Sequence, residues 1–332
     1  MMFSVIATMI CVGFVHAFPS DPTNVKAVKY YFDIVAAAFS PRLPGCFEGK
    51  GIIMHRNYSV TLDGTTSMAY LAYKTNETYL VFAGSLTISQ VCDEITGSVH
   101  QKHWVTPGSL LSEYDAKFMN SWLNTALFAD LMEMREIATG QRYGGNSTTT
   151  CIGYSLGASL CELHAGYFGV QYGFVLFDIV NFGNPRPGNR DLNKHGVESY
   201  VNRFIRYRFQ SDAVSMSPTL DFCRSQYFPS DASTYQINFD VLAWDYSIEF
   251  IGHGLNLTTS FDCYSLLDHL SYLAPYPSSV QTYGTSGCSQ TAPAPPPFNP
   301  VNISRCLQTF ENCLDKKRFK SVCIFFKGFM QL

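Results

Sequence analysis

The sequence has few charged side chains, and its shortages exclude several classes of function. Asp, Glu, Lys and Arg together make up 15% of the 332 residues, and the formal net charge is −3. A nucleic-acid-binding protein needs a basic surface that this balance does not supply. The eleven cysteines include no Cys-x-x-Cys pair, the usual spacing in a structural zinc site. We therefore expect no nucleic-acid partner, no metal and no organic cofactor.

The chain is otherwise rich in apolar residues, and its amino-terminal segment has the pattern of a secretory signal peptide. Hydrophobic residues make up 46%, enough for one large domain or two ordinary ones. Residues 3–15 are almost wholly apolar, and Val15 and Ala17 are small residues placed as a cleavage site after Ala17 requires. No Lys or Arg precedes this run, and a buried amino-terminal helix is the alternative interpretation. We expect residues 1–17 to be removed and the protein to be secreted. No later segment is long and apolar enough to cross a membrane.

Cysteines and glycosylation signals agree with an extracellular location. Ten cysteines remain after removal of Cys11, and an even number in a secreted chain favours disulfide bonds. Their connectivity does not follow from their spacing. Cys151 lies on a predicted buried strand and Cys161 on a predicted buried helix. For this pair, free thiols in the core are therefore an alternative to a disulfide bond. Asn-x-Ser/Thr sequons, which mark glycosylation sites, begin at Asn57, Asn76, Asn146, Asn256 and Asn302.

Alternating strand and helix patterns predict an α/β fold. Residues 25–39 have an apolar residue at every third or fourth position, as in an amphipathic helix. Residues 78–83 form a continuous apolar run, typical of a strand buried on both faces. Further strands are predicted at residues 52–61, 67–73, 173–182 and 199–209, and helices at 112–138 and 156–168. This alternation predicts a mostly parallel central sheet with helices on both faces.

The composition changes near residue 286, which predicts a boundary between a main domain and a small appendage. Residues 18–285 form the predicted α/β domain. Residues 286–300 are rich in proline and predict an extended linker. Residues 301–332 contain three cysteines and are too short to form a core without disulfide bonds.

The segment around Ser155 has the pattern of a nucleophile elbow. The β-prone residues 148–152 lead into Gly153-Tyr154-Ser155-Leu156-Gly157, and a helix-prone run follows. A serine on such a tight strand-to-helix turn has a strained backbone, and the two glycines remove Cβ atoms that would clash there. A serine hydroxyl is a weak nucleophile that needs a histidine base and an acid to orient it. In this arrangement the acid and the base follow the serine in the chain.

Several residues after Ser155 are candidates for these roles. Asp212 follows the predicted strand 199–209, although a turn-forming aspartate is equally common there. Asp178 lies inside an apolar strand, and Asp191 fits a helix cap or a loop. For the base, position favours His269 over His253, which lies between two glycines. The backbone N–H of Leu156 and Ser85, at the end of the run 78–83, are the candidate donors of an oxyanion hole.

Taken together, these motifs resemble the class 3 (fungal-type) lipases of the α/β-hydrolase fold. The resemblance covers roughly residues 25 to 275. It rests on the Gly-x-Ser-x-Gly box at 153–157, on Phe-Gly-x-Pro-Arg-x-Gly-Asn at 182–189, and on further segments that begin at Phe82, Asp212 and His269. It implies that Ser155, Asp212 and His269 form a catalytic triad and that Ser85 and Leu156 form the oxyanion hole. Tyr154 and Ala83 depart from the family, which usually has His and Arg there.

The resemblance implies a secreted carboxylic ester hydrolase, with acylglycerols as the first expectation for its substrate. The family's lid corresponds to residues 86–102, where Ile88, Val91, Ile95 and Val99 form a helical apolar stripe. A short packed helix would have the same stripe. A phospholipase or general esterase of the same fold, and a non-catalytic secreted lipid-binding protein, are the alternatives. A lipid or ester substrate, met at a lipid–water interface, is the expected partner.

Overall fold

The computed structural model of the chain describes residues 21–38, 46–47, 50–62, 65–74, 77–84, 101–103, 110–112, 130–131, 133–134, 148–172, 177–185, 187–189, 192–209, 212, 214–216, 226–227, 232–240, 245–253 and 269. The predicted signal peptide, proline-rich linker and Cys-containing tail lie outside these residues, as do the asparagines of four of the five sequons. Asn57, the first residue of the remaining sequon, is exposed. Signal cleavage, the domain boundaries and glycosylation therefore stay predictions.

The described residues form two long helices and twelve strands. In chain order these are α1 (Val25–Ala37), β1 (Ile53–Leu62), β2 (Thr65–Lys74), β3 (Glu77–Phe82), β4 (Gln101–His103), β5 (Leu110–Ser112), β6 (Thr148–Tyr154), α2 (Leu156–Tyr172), β7 (Phe177–Phe182), β8 (Gly188–Asn189), β9 (Val201–Phe209), β10 (Gln226–Tyr227), β11 (Ser233–Asp240) and β12 (Asp245–His253). A π-helical segment (Leu192–Val197) and one 3₁₀ turn (Val214–Met216) also occur. No helix in the described part of the chain has the length and apolar character that a membrane span requires.

Eight strands form one sheet in the order β1-β2-β3-β6-β7-β9-β11-β12. The five strands from β3 to β11 in this order are parallel to one another, while β1, β2 and β12 run antiparallel to their neighbours. The predicted mostly parallel sheet is therefore confirmed. Parallel neighbours need a crossover between them, and α2 supplies the one between β6 and β7.

Both faces of the central strands are buried, because neighbouring residues on each of these strands alternate between two apolar cores. On one face a row across four strands packs beneath α2; it consists of Leu80, Cys151, Ile179 and Phe204. On the other face the next row packs against α1; it consists of Val81, Ile152, Val180 and Ile205. Fully burying one such aliphatic side chain contributes about 1.5–3 kcal/mol. These two rows explain the continuous apolar run that the sequence shows at residues 78–83.

Helix α1 begins where the sequence predicts and ends within two residues of the predicted limit. The side chain of Asn24 caps it, since Oδ1 accepts the backbone N–H groups of Lys26 and Ala27 at 3.0 and 3.2 Å. Such a cap is worth about 1 kcal/mol. Val28 and Phe32, one turn apart on the predicted apolar stripe, are buried against the sheet.

Two of the helices predicted from the sequence are wrong, each at the one end that the structure describes. Ser112, the first residue of the predicted helix 112–138, belongs to β5, because it pairs with Gln101 of β4. Lys102, the last residue of the predicted lid helix, is extended in β4 for the same reason, since it pairs with Leu111. Residues 130–131 and 133–134 are helical, as the apolar stripe predicts. Residues 86–100 lie outside the described part of the chain.

Cys151 and Cys161 are not free thiols but form a disulfide bond. Cys151 lies on β6 and Cys161 on α2, and the tight turn at residue 155 folds the helix back over the strand. The two Cα atoms are 5.7 Å apart, and both side chains are fully buried. The bond joins the strand before Ser155 to the helix after it. Cys46 is disulfide-bonded as well.

Candidate active site

Ser155 occupies the single position between strand β6 and helix α2. Its φ of 56° lies in the left-handed region, and it is the only residue other than glycine with a positive φ in the described part of the chain. The Ser155 N–H donates to the Phe182 carbonyl at 2.9 Å, and its carbonyl accepts the Ala158 N–H at 2.9 Å. These bonds hold a conformation that costs about 1–2 kcal/mol for a residue with a Cβ.

Close packing explains the two glycines of the elbow. A Cβ on Gly153 would lie 2.5 Å from the Ala158 Cα, and a Cβ on Gly157 would lie 2.2 Å from the Phe82 carbonyl oxygen. Both contacts are with backbone atoms, which cannot rotate away. The predicted steric role of these glycines, and the strand–turn–helix context of the motif, are therefore confirmed.

The structure brings Ser155, His269 and Asp212 together. Nε2 of His269 lies 2.7 Å from the Ser155 hydroxyl oxygen, and Nδ1 lies 3.0 Å from both carboxylate oxygens of Asp212. These contacts join residues 114 and 57 positions apart in the chain. All three side chains have 0% exposure, so no ester can reach the hydroxyl oxygen in this state.

The Asp212 carboxylate has several hydrogen-bond donors, which keep it ionised although it is buried. Oδ1 accepts the backbone N–H groups of Val214 and Ser215 at 2.8 and 3.3 Å, and Oδ2 accepts the Ser215 hydroxyl at 2.6 Å. Burial alone would raise the pKa of Asp212. The interactions with His269 and with Ser215 outweigh burial, so the pKa lies below its usual value. A carboxylate of this kind can orient an imidazole and balance its positive charge.

The competing candidates lie elsewhere. Asp178 is the second residue of β7, at the end of the sheet opposite to Ser155, and it accepts hydrogen bonds from Asn202 and Arg203. His253 is exposed at the end of the edge strand β12, with Nδ1 3.3 Å from the Ser233 hydroxyl. Asp191 lies outside the described residues. Asp212 and His269 are thus the acid and base candidates that the fold places beside Ser155.

The predicted oxyanion residues are described only in part. Leu156 is the first residue of α2 and is buried, so its backbone N–H lies at the amino-terminal end of that helix. Ser85 lies outside the described residues. Its neighbour Gly84 packs directly against the elbow, because a Cβ there would lie 2.7 Å from the Cβ of Ser155. The chain therefore reaches the nucleophile candidate immediately before Ser85.

Two further residues border the imidazole of His269. The ring of Tyr154 is stacked on it, with centroids 5.2 Å apart and planes 13° apart, and the Tyr154 hydroxyl donates to the His269 carbonyl at 2.8 Å. Gly183 has a φ of 61°, and a Cβ there would lie 2.9 Å from the His269 Cε1. The sequence motifs contained both residues but did not link them to the base.

A buried polar network lies behind Asp212, and the sequence analysis did not identify it. Asn184 donates to the Glu162 carboxylate, and the Arg206 guanidinium donates to the carbonyls of Asn184 and Ser215 at 3.3 and 3.5 Å. Burial raises the pKa of Glu162 to about 8, against the opposing effects of Asn184 and Arg206. Arg206 thereby holds the turn whose Ser215 supports Asp212.

One group in the described residues has metal-ligand chemistry. The donor atoms of His55, Asp130 and Glu133 lie within 4.8 Å of one another. Arg56 pairs with the Asp130 carboxylate at 3.1 Å and Tyr58 also donates to it, so a cation would have to compete with Arg56. His55 is on β1, three strands away from β6 in the sheet. This group therefore has no part in the chemistry at Ser155.

Comparison with known proteins agrees with the motifs and the geometry. Residues 79–222 match the family of class 3 lipases. The lipase from Rhizopus microsporus var. chinensis aligns with a TM-score of 0.58 and 17% identity over 74% of this chain and 85% of that one. Lipase II from Rhizopus niveus aligns with a TM-score of 0.55 and 17% identity over 74% and 92%. A triacylglycerol lipase with a serine protease triad as its catalytic centre aligns with a TM-score of 0.52 and 16% identity, also over 74% and 92%. No curated protein matches the chain.

At these identities the solved structures show the fold, which is that of the α/β-hydrolases. The family match covers the elbow, the 182–189 segment and Asp212, and it ends before His269. Through this segment the chain is similar to the class 3 lipases, which supports a carboxylic ester hydrolase.

Proposed function

We propose that the protein is a secreted triacylglycerol lipase that cleaves esters through an acyl-enzyme on Ser155. The observation that carries this proposal is the continuous hydrogen-bonded path from the Ser155 hydroxyl through both nitrogens of His269 to Asp212. A serine becomes nucleophilic when a neighbouring imidazole accepts its proton as it attacks. The family supplies the reaction class, ester hydrolysis.

The reaction has two halves with the same proton path. In the first, the Ser155 oxygen attacks the acyl carbonyl while Nε2 of His269 takes the hydroxyl proton. His269 then gives this proton to the leaving alcohol, and the acyl group stays on Ser155. In the second, water attacks the acyl-enzyme, His269 takes the water's proton and returns it to Ser155, and the carboxylic acid leaves. Asp212 holds the Nδ1 proton and stabilises the imidazolium in both halves.

The negative charge on the substrate oxygen needs donors close to Ser155. We assign this role to the Leu156 N–H and to Ser85. The position of Leu156 at the start of α2 supports its part, because helix amino termini favour negative charge. The contact of Gly84 with the elbow supports the part of Ser85, the next residue along the chain.

A long-chain acylglycerol suits a site that is closed in the structure. The complete burial of the triad side chains means that the site must open before Ser155 can react. A protein whose site opens at a lipid–water interface would hydrolyse emulsified esters faster than dissolved ones. The solved triacylglycerol lipase with the same fold supports this substrate class. The signal-peptide pattern and the sequons support secretion.

The test is replacement of Ser155, compared with replacement of a nearby serine. Ser159 is also buried and lies one turn further along α2, which makes Ser159→Ala a matched control. We expect Ser155→Ala to lower p-nitrophenyl ester hydrolysis at least about a thousandfold with an unchanged circular dichroism spectrum. A labelled fluorophosphonate should bond to the wild type and to Ser159→Ala but not to Ser155→Ala.

The substrate is tested on the same proteins. Emulsified triacylglycerol, phospholipid vesicles and a dissolved short-chain ester separate a lipase from a phospholipase and a general esterase. Faster cleavage of the dissolved ester than of the emulsion would contradict the lipase assignment. A wild-type protein that is folded and does not react with the fluorophosphonate would instead be a non-catalytic, lipid-binding member of the family.

A further inference from the structure

We infer that Tyr154 is a positioning residue for His269, acting on both its ring and its backbone. This inference rests on the proposed function, because it assigns Tyr154 a role in presenting the base to Ser155. The stacked ring faces and the hydrogen bond from the Tyr154 hydroxyl to the His269 carbonyl are two independent contacts with the same residue. One restrains the tilt of the imidazole and the other restrains the chain that carries it.

Tyr154 can position the base because it is itself held firmly. It is the last residue of β6 and is 1% exposed. Its ring packs edge to face on Phe32 of α1, with centroids 6.3 Å apart. Tyr154 is also the immediate neighbour of Ser155. Tyr154, which supports the base, and Ser155, the nucleophile, therefore lie at the end of the same strand. A displacement of that strand moves both residues together.

Gly183 completes the slot for the imidazole. With no Cβ, its backbone lies against the Cε1–Nδ1 edge of the ring, where any side chain would come within 2.9 Å of Cε1. The ring is thus in contact with Tyr154, Gly183, Asp212 and Ser155. A ring limited in this way keeps Nε2 aimed at the Ser155 oxygen throughout the proton transfers.

The stacking also places an aromatic face beside the base during the proton transfers. His269 becomes an imidazolium each time it takes the proton from Ser155 or from water. The face of an aromatic ring carries partial negative charge and attracts a cation held against it. Tyr154 therefore acts mainly on the catalytic step, while substrate binding should depend little on it.

The chain offers a close control for this role. Tyr207 has the same exposure, 1%, as Tyr154. Its ring is stacked on Phe182 at 5.1 Å and 19°, and its hydroxyl donates to the Pro22 carbonyl at 3.1 Å. Tyr207 thus makes the same two kinds of contact, in its case with Phe182 and Pro22. Replacing it measures the general effect of losing a buried, stacked and hydrogen-bonded tyrosine.

The experiment compares Tyr154→Phe and Tyr154→Leu with Tyr207→Phe and Tyr207→Leu in the full chain. We expect kcat to fall about tenfold in Tyr154→Phe, which loses one hydrogen bond, and about a hundredfold in Tyr154→Leu, which also loses the stacking. KM should change by less than about threefold, because the contacts that are lost act on the base and not on the bound substrate. The Tyr207 variants should keep the wild-type kcat even where their thermal stability falls.

A spectroscopic measurement separates positioning from general destabilisation. The proton between Nδ1 of His269 and Asp212 should give a low-field proton NMR signal in the wild type. We expect this signal to shift or broaden in both Tyr154 variants and to stay unchanged in the Tyr207 variants. If Tyr154→Leu fails to fold, Tyr154→Phe alone decides, because it removes one oxygen atom and keeps the ring.

Two results would overturn the inference, and a third concerns the proposed function. A wild-type kcat in Tyr154→Phe together with an unchanged low-field signal would contradict a positioning role. Equal losses of kcat in the Tyr154 and Tyr207 variants would make Tyr154 an ordinary core residue. If the wild type shows no Ser155-dependent fluorophosphonate labelling, the proposed function itself fails, and the positioning role fails with it.

Discussion

The left-handed backbone of Ser155 has a measurable effect on stability. Ser155→Ala and Ser155→Gly both remove the proposed nucleophile, but only the second removes the Cβ that makes this conformation unfavourable. A buried Ala→Gly change in ordinary helix loses about 1 kcal/mol through backbone entropy and about 0.8 kcal/mol through lost apolar burial. At φ of 56° the relief of strain returns about 1–2 kcal/mol. The two opposing effects nearly cancel at Ser155.

Ala165 provides the reference for this comparison. It lies inside α2 and is fully buried, so Ala165→Gly has the same losses without the relief of strain. We expect Ser155→Gly to be as stable as Ser155→Ala within about 0.5 kcal/mol, whereas adding Ala165→Gly to Ser155→Ala costs about 2 kcal/mol. The difference between the two positions measures the strain at the elbow directly.

The assay is reversible urea unfolding of the disulfide-intact proteins, followed by circular dichroism. All the proteins compared are inactive variants, so differences in ligand binding do not enter. Equal m-values are required, because the comparison assumes one unfolded ensemble. If Ser155→Gly is less stable than Ser155→Ala by as much as Ala165→Gly costs, the elbow stores no strain and the reasoning is refuted.

Three further predictions concern the stability of the same framework. Gly157→Ala should destabilise the fold by about 3 kcal/mol or more in urea unfolding, because its Cβ would lie 2.2 Å from the Phe82 carbonyl; wild-type stability would contradict the tight strand–helix contact. Replacing both Cys151 and Cys161 with Ala should cost about 3 kcal/mol, since their bond closes a loop with a sequence separation of 10; an unchanged urea midpoint would argue against the bond. Burial raises the pKa of Asp33 to about 6 against the opposing charges of Lys50 and Lys29. The folded state thus holds this proton more tightly than the unfolded state, and stability falls as pH rises between about 4 and 6. Above this range, the free energy of unfolding of Asp33→Asn should therefore exceed that of the wild type by up to about 3 kcal/mol. Below this range the two proteins should be equally stable. A stability difference that does not change with pH would contradict the prediction.

Local patterns made the elbow predictable from the sequence. The spacing of Gly153, Ser155 and Gly157 records a steric requirement that is met within five residues, so no long-range information is needed. The central strands were equally predictable, because burial on both faces produces continuous apolar runs. The predicted strand at 78–83 and the observed Glu77–Phe82 differ by one residue at each end.

Contacts between distant segments were not predictable in the same way. The disulfide between Cys151 and Cys161 depends on the angle at which α2 folds back over β6, which the cysteine spacing does not record. Ser112 is the first residue of the predicted helix 112–138, yet it pairs with Gln101 in β5, because tertiary pairing can override a local preference. The hydrogen bond from Tyr154 to His269 joins residues 115 positions apart, and no motif contains both.

The position of the site in the sheet gives a physical reason for the positioning role that we propose for Tyr154. Ser155, Gly183 and Asp212 each follow the carboxyl end of a parallel strand, β6, β7 and β9, and the register of the sheet fixes these ends relative to one another. His269 follows no described strand directly, so the sheet register does not set its position. Side-chain contacts from the strand ends must do so instead. Tyr154, from the same strand end as the nucleophile, joins the position of the base to that of Ser155.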